Sequence, residues 1–212
     1  RPRDWSSDVC SSDLGYRAGV TTTQAAERLF LAIEVTAPVR AAIRATLPPE
    51  LPGRVVRPEQ WHLTVRFLGG TVPAQRDALI AALDATQDLG RAFTLRFGGL
   101  GAIPDAREAR VAWLGVQAGA REFGALAARI EGIVTALGFT AGVPDGTPHL
   151  TLTRLDPPMD VQRLVSQRIV IAVPLLVDAV CLLRSRLGTP GPRYAEIARR
   201  RPLWRHVLRN KV

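Results

Sequence analysis

Polar and apolar residues alternate most clearly in two short stretches, His62-Leu63-Thr64-Val65 and His149-Leu150-Thr151-Leu152. A period of two marks a half-buried strand, on which side chains two apart share a face. Each stretch therefore turns Leu63 and Val65, or Leu150 and Leu152, toward a core. It presents an imidazole and a hydroxyl on the opposite face. The chain has three histidines, and two of them stand in this repeated setting.

The remaining pattern predicts the elements around these strands. Arg28 to Val35 is almost continuously apolar, as in a strand covered on both faces. Helices are expected over 38–47, 73–83 and 121–137. Pro38 suits the first turn of the first helix, and Pro48, Pro49 and Pro52 end it. The third helix carries Phe123, Leu126, Ile130, Ile133, Val134 and Leu137 at spacings of three and four, with Gly138 as its C-cap. Further strands are expected at 55–56, 93–97, 111–116, 169–173, 175–184 and 194–197. The motif strand should stop at Gly69-Gly70, 98–110 should be a loop, and Asp156-Pro157-Pro158 should open a short helix to about Gln167.

Each motif is thus followed by a helix and then strands, and the motifs lie 87 residues apart (149 minus 62). That repeat predicts an α+β, bilobal fold over residues 27–203. It would have two antiparallel-dominated sheets, helices on their outer faces and a central cleft. Residues 1–26 show neither an amphipathic period nor a signal-peptide plan, and are expected to be a non-native or disordered leader. Residues 204–212 read as a basic tail containing His206.

Composition narrows the class. A length of 212 residues and 47% apolar content suit a globular domain with a substantial core. The net charge of +9 is almost wholly arginine, since Lys211 is the only lysine. Arginine's planar fork matches phosphate, so the charge admits a nucleic-acid partner without establishing one. Cys10 and Cys181 form neither a disulfide framework nor a metal-ligand spacing, which points to a reducing cytoplasm. The apolar run from Ile169 to Leu183 is interrupted by Pro174 and Asp178, so no membrane span is expected.

Two imidazoles facing one another across a cleft suit proton transfer in both directions. A neutral ring removes a proton from water, and a protonated ring delivers one to a leaving oxygen. An ordinary pKa of about 6.5 makes both states accessible near neutrality. Thr64 and Thr151 are candidates to donate hydrogen bonds to non-bridging phosphate oxygens, and Arg154 to add a charged donor. This chemistry calls for no cofactor, and the HxT pattern has no nearby Asp, Glu or Cys to complete a zinc site. Arg66 shares the face of His62 in a regular strand. Trp61 and Phe67 fall on the Leu63 face, and Cys181 reads as a small buried hydrophobe.

His62-Leu63-Thr64-Val65-Arg66-Phe67-Leu68-Gly69 and His149-Leu150-Thr151-Leu152-Thr153-Arg154 resemble the two HxTx signatures of the 2H phosphoesterase superfamily. They are most similar to its RNA 2′,3′-cyclic phosphodiesterases, also called LigT-like 2′-5′ RNA ligases. Arg28 to Ile33, Val111 to Val116, and Leu183 to Leu187 before Gly191-Pro192-Arg193-Tyr194 resemble the same family. The resemblance implies a pseudo-twofold, bilobal fold whose cleft is lined by both motifs. It also implies hydrolysis of a terminal 2′,3′-cyclic phosphate to a 2′-phosphate on RNA 3′ ends. In that reaction one histidine activates water and the other protonates the departing 3′ oxygen; His149 is taken as the base and His62 as the acid. Some members also join RNA ends through a 2′-5′ linkage. A monomer is expected. The competing readings are a phosphodiesterase acting on a small cyclic nucleotide or a cyclic ADP-ribose derivative, and a non-catalytic RNA-end binder.

Overall fold

The computed structural model describes residues 25–140, 147–188 and 191–201. In chain order it has β1 (Glu27–Glu34), α1 (Ala37–Thr46), β2 (Arg54–Val55), a 3-10 turn (Pro58–Gln60), β3 (His62–Thr71) and α2 (Pro73–Ala85). There follow β4 (Phe93–Ile103), β5 (Ala109–Ala118), α3 (Ala120–Ala136), β6 (His149–Met159) and α4 (Gln162–Val165). The last elements are β7 (Leu175–Val177), β8 (Val180–Arg186) and β9 (Arg193–Arg200).

The strands form one nine-stranded sheet in the order β7-β4-β5-β6-β3-β1-β8-β9, with β2 added alongside β6. The α+β class therefore stands, but the expected division into two sheets is corrected. The motif strands β3 and β6 join through the antiparallel pair Leu63↔Leu150, so hydrogen bonding runs across the middle. The repeat inferred from the motif spacing survives within this one sheet. β1-α1-β3-α2 in one half corresponds to β5-α3-β6-α4 in the other, and each half places its motif strand at the junction.

Strand β1 shows why the two faces of the sheet differ. Leu29, Leu31 and Ile33 enter the main core with Val39 and Ile43 of α1, Leu79 and Leu83 of α2, and Phe123, Leu126, Ile130 and Val134 of α3. Alternate residues Phe30 and Ala32 form a separate cluster with Cys181, Leu183 and Tyr194 on the opposite face. A central strand flanked by β3 and β8 is covered on both sides, as its apolar run predicts.

Several boundaries differ from expectation for local reasons. The segment 98–110 is mostly strand, because β4 and β5 pair as far as Ile103↔Val111. Its glycines are required there. A Cβ at Gly101 would meet the Trp113 ring at 2.1 Å, and one at Gly98 would meet the Gln117 amide at 2.4 Å. Strand β3 passes through Gly69 and Gly70 to Thr71, and Asp156-Pro157-Pro158 continues β6 instead of opening a helix. The strand expected at 169–173 reduces to one isolated bridge, Gly98↔Val170. Residues 1–24 of the leader, Cys10 among them, and the basic tail with His206 lie outside the described residues.

Candidate active site

The pair Leu63↔Leu150 sets the geometry of the sheet's centre. Both leucines are fully buried on the helix side. Their neighbours His62, Thr64, His149 and Thr151 consequently share the other face, as the alternation predicts. The hydroxyls of Thr64 and Thr151 make no hydrogen bond among the described residues and remain available to a ligand.

The two imidazoles are held in the same way. His62 Nδ1 lies 2.7 Å from the Gln60 carbonyl, and His149 Nδ1 lies 3.0 Å from the Thr147 carbonyl. A carbonyl oxygen only accepts, so each Nδ1 carries the hydrogen and donates it. That leaves Nε2 of each ring to exchange a proton with a ligand, the orientation a general acid or base needs.

Their surroundings differ. The His62 ring lies between Phe30 and Tyr194, each with its centroid 5.0 Å away. His149 sits in the more open half beside Trp113, at 5.7 Å. Burial pushes the His62 pKa below the ordinary imidazole value, and the charges of Arg154 and His149 push the same way. The Gln60 carbonyl and Glu34 oppose them. Burial raises the Tyr194 pKa and the Arg154 charge opposes it, so the guanidinium on β6 acts on the His62 half.

Arg154 reaches this face because of a bulge. In β6 the register jumps between Ala112↔Thr153 and Trp113↔Thr151, which leaves Leu152 as an extra residue. In β3 it jumps between Leu31↔Arg66 and Ala32↔Thr64, leaving Val65 extra. A bulge inverts the facing of every residue beyond it. Two expectations are corrected as a result. Phe67 is not core: it is 62% exposed and stacks obliquely on Phe30 at 5.8 Å. Arg66 does not share the His62 face. It turns to the helix side, where its Nε donates to Glu131 of α3 at 2.5 Å and its terminal nitrogen donates to the Thr140 carbonyl.

Trp61 is buried as expected, with its indole donating to the Val56 carbonyl at 3.0 Å. Phe30, Trp113 and Tyr194 were not singled out by sequence reasoning, although all three lie in the flanking segments that carry the family resemblance. No local pattern marks them; the register of β1 and β5 against the motif strands, and of β9 against β8, brings them in.

Among the described residues, one group of metal-capable side chains lies at the edge of this face. Ligand atoms of Glu34, Cys181 and Glu196 come within 4.8 Å of one another. Arg199 already bridges the two carboxylates, and burial pushes the Cys181 thiol up to about 12. This is an ion-paired cluster over a protonated thiol, a poor donor set for a cation.

Residues 34–113 match the family described as LigT like Phosphoesterase. An RNA 2′,3′-cyclic phosphodiesterase of Aeropyrum pernix is 30% identical over 151 residues, covering 68% of this chain and 83% of the relative. The crystal structure of E. coli LigT complexed with 3′-AMP is similar with a TM-score of 0.65 at 28% identity, over 83% of this chain and 97% of that one. TT0787 of Thermus thermophilus is similar with a TM-score of 0.68 at 26% identity, over 81% and 96% of the two chains. With its two motif strands side by side on the face of the sheet opposite the helices, the chain belongs to the LigT-like phosphoesterase family.

Proposed function

We propose that this protein hydrolyses the 2′,3′-cyclic phosphate at RNA 3′ ends to a 2′-phosphate, without a metal, by acid-base catalysis through His62 and His149. The observation that carries the reading is the matched pair of Nδ1-to-carbonyl bonds, which frees both Nε2 atoms on one face. One neutral Nε2 takes a proton from water as its oxygen attacks phosphorus. The bond from phosphorus to the 3′ oxygen breaks, and the other ring's Nε2–H delivers its proton to that oxygen. Thr64, Thr151 and Arg154 hold the non-bridging oxygens as charge develops on them. A ribose 5′-hydroxyl in place of water would give 2′-5′ ligation by the same proton transfers. Residues 27–203 are taken as the working unit, acting as a monomer.

The order of the two roles has a second reading. The family resemblance makes His149 the base and His62 the acid. In the free protein, however, burial lowers the His62 pKa, which favours the neutral state that a base requires. A bound cyclic phosphate adds a negative charge that works against this depression. The depression of His62 by burial in the free protein favours it as base, and the acid and alkaline limbs of kcat/KM in single-histidine variants distinguish the two orders.

The test is incubation with an RNA oligonucleotide ending in 2′,3′-cyclic phosphate, in EDTA, with products resolved by phosphate position. A 2′-phosphate is the expected product. An unchanged substrate, or a 3′-phosphate product, would overturn the proposal.

A further inference from the structure

Strand β2 contains two residues, yet three features pin it to β6. The Val56 N–H donates to the Leu152 carbonyl at 2.8 Å, and the Thr153 hydroxyl donates to the Pro52 carbonyl at 2.5 Å. Gly53 has φ +73°, and a Cβ there would lie 2.6 Å from the Arg154 carbonyl oxygen. Only glycine allows so close an approach in that conformation.

This local construction sets Arg54 directly opposite Arg154 in the ladder. Directly opposed residues share a face, and like charges in that position repel. Among the described residues neither guanidinium has a carboxylate partner. Leu155, next to Arg154, packs into the helix-side core, so Arg154 and the Arg54 opposite it project onto the face of the histidines, where both charges act on Tyr194. A backbone shaped to hold two unneutralised arginines side by side is suited to a ligand that supplies negative charge. Guanidinium forks match phosphodiester oxygens, and the five N–H donors of Arg154 are enough to serve two neighbouring phosphates.

We propose that Arg54, together with Arg154, forms a second phosphate subsite that takes the internucleotide phosphodiester immediately 5′ of the terminal cyclic phosphate. The inference rests on the cyclic-phosphodiesterase reading and adds a substrate class to it: RNA chains in preference to mononucleotides. Arg54 is then a specificity residue, and β2 is the device that positions it.

The experiment compares kcat/KM on a nucleoside 2′,3′-cyclic monophosphate with kcat/KM on an oligonucleotide bearing the same 3′ nucleotide, for the parent and Arg54→Ala. Their ratio does not depend on how much of the variant is folded. The parent should prefer the oligonucleotide, and Arg54→Ala should lower that preference about tenfold, the weight of one charge-assisted phosphate contact. The slope of log kcat/KM against log salt on the oligonucleotide should also become shallower, by about 0.7 for one single-strand phosphate. A parent without preference, or an unchanged ratio in Arg54→Ala, overturns the subsite while leaving the phosphodiesterase reading intact. Turnover of neither substrate by the parent overturns that reading and the subsite with it.

Discussion

The two motif strands make the same backbone move and end in different side chains. Each carries an extra residue three positions beyond its histidine, Val65 in β3 and Leu152 in β6. Each bulge returns the fifth position beyond the histidine to the open face. In β3 that position is Phe67, beside Phe30; in β6 it is Arg154, beside Arg54 and Tyr194. The scaffold is repeated while the chemistry it presents is divided. One half surrounds its histidine with aromatic rings, and the other supplies fixed positive charge. The opposite tasks proposed for the two imidazoles call for such a division, because two identical environments would give two rings of equal proton affinity.

The strongest challenge to this comparison is removal of either imidazole. His62→Ala and His149→Ala should each lower the rate on a cyclic-phosphate oligonucleotide by about 10²–10⁴-fold, the usual contribution of a positioned acid or base. If one variant stays within a few-fold of the parent while the other is inactive, the repeat is architectural and only one half carries the chemistry.

The second challenge concerns the floor beneath His149. Trp113 is opposite Gly101 in the ladder and lies flat over it. Its indole nitrogen is buried and has no hydrogen-bond partner among the described residues, so packing holds the ring in place. A methyl group at 101 would sit 2.1 Å from the ring and force it toward His149, 5.7 Å away. Gly101→Ala should destabilise the fold by about 1–3 kcal/mol, as overpacking does. It should also lower kcat by roughly tenfold through displacement of a reacting group. Urea midpoints and kcat at parental values would show that Trp113 does not position His149.

Much of this arrangement was legible from pattern alone. Period-two alternation correctly put His62 and Thr64 on one face, and His149 and Thr151 with them, because Leu63 and Leu150 have to be buried. What the pattern missed follows from the bulges. Val65 and Leu152 are ordinary strand residues, and nothing in their type announces an extra position. Counting by twos past them assigned Phe67 to the core and Arg66 to the histidine face, the reverse of what is found. Arg154 was chosen for its charge and its nearness to His149, although five residues along a regular strand would have turned it away. Arg54 and Tyr194 could not be found locally, since strand pairing brings each beside residues far away in the chain. The repeat likewise suggested two sheets, because a repeat in sequence does not say whether its copies share hydrogen bonds.

The subtlest expected effect concerns the proton affinity of His62. His62 is depressed because imidazolium is poorly solvated between Phe30 and Tyr194, with Arg154 and His149 adding repulsion. The unfolded chain releases that constraint and returns the ring toward about 6.5. Between the lowered folded value and 6.5 the unfolded state binds more protons, so stability increases with pH across the window and declines as pH falls through it. Replacing the ring by Asn, which can still donate to the Gln60 carbonyl, removes this contribution. Urea midpoints between pH 7.5 and 5 should therefore decline less for His62→Asn than for the parent, with carboxylate contributions common to both. An equal decline in the two proteins would mean that the aromatic half does not hold its histidine neutral, and the proposed division between the halves would lose its electrostatic basis.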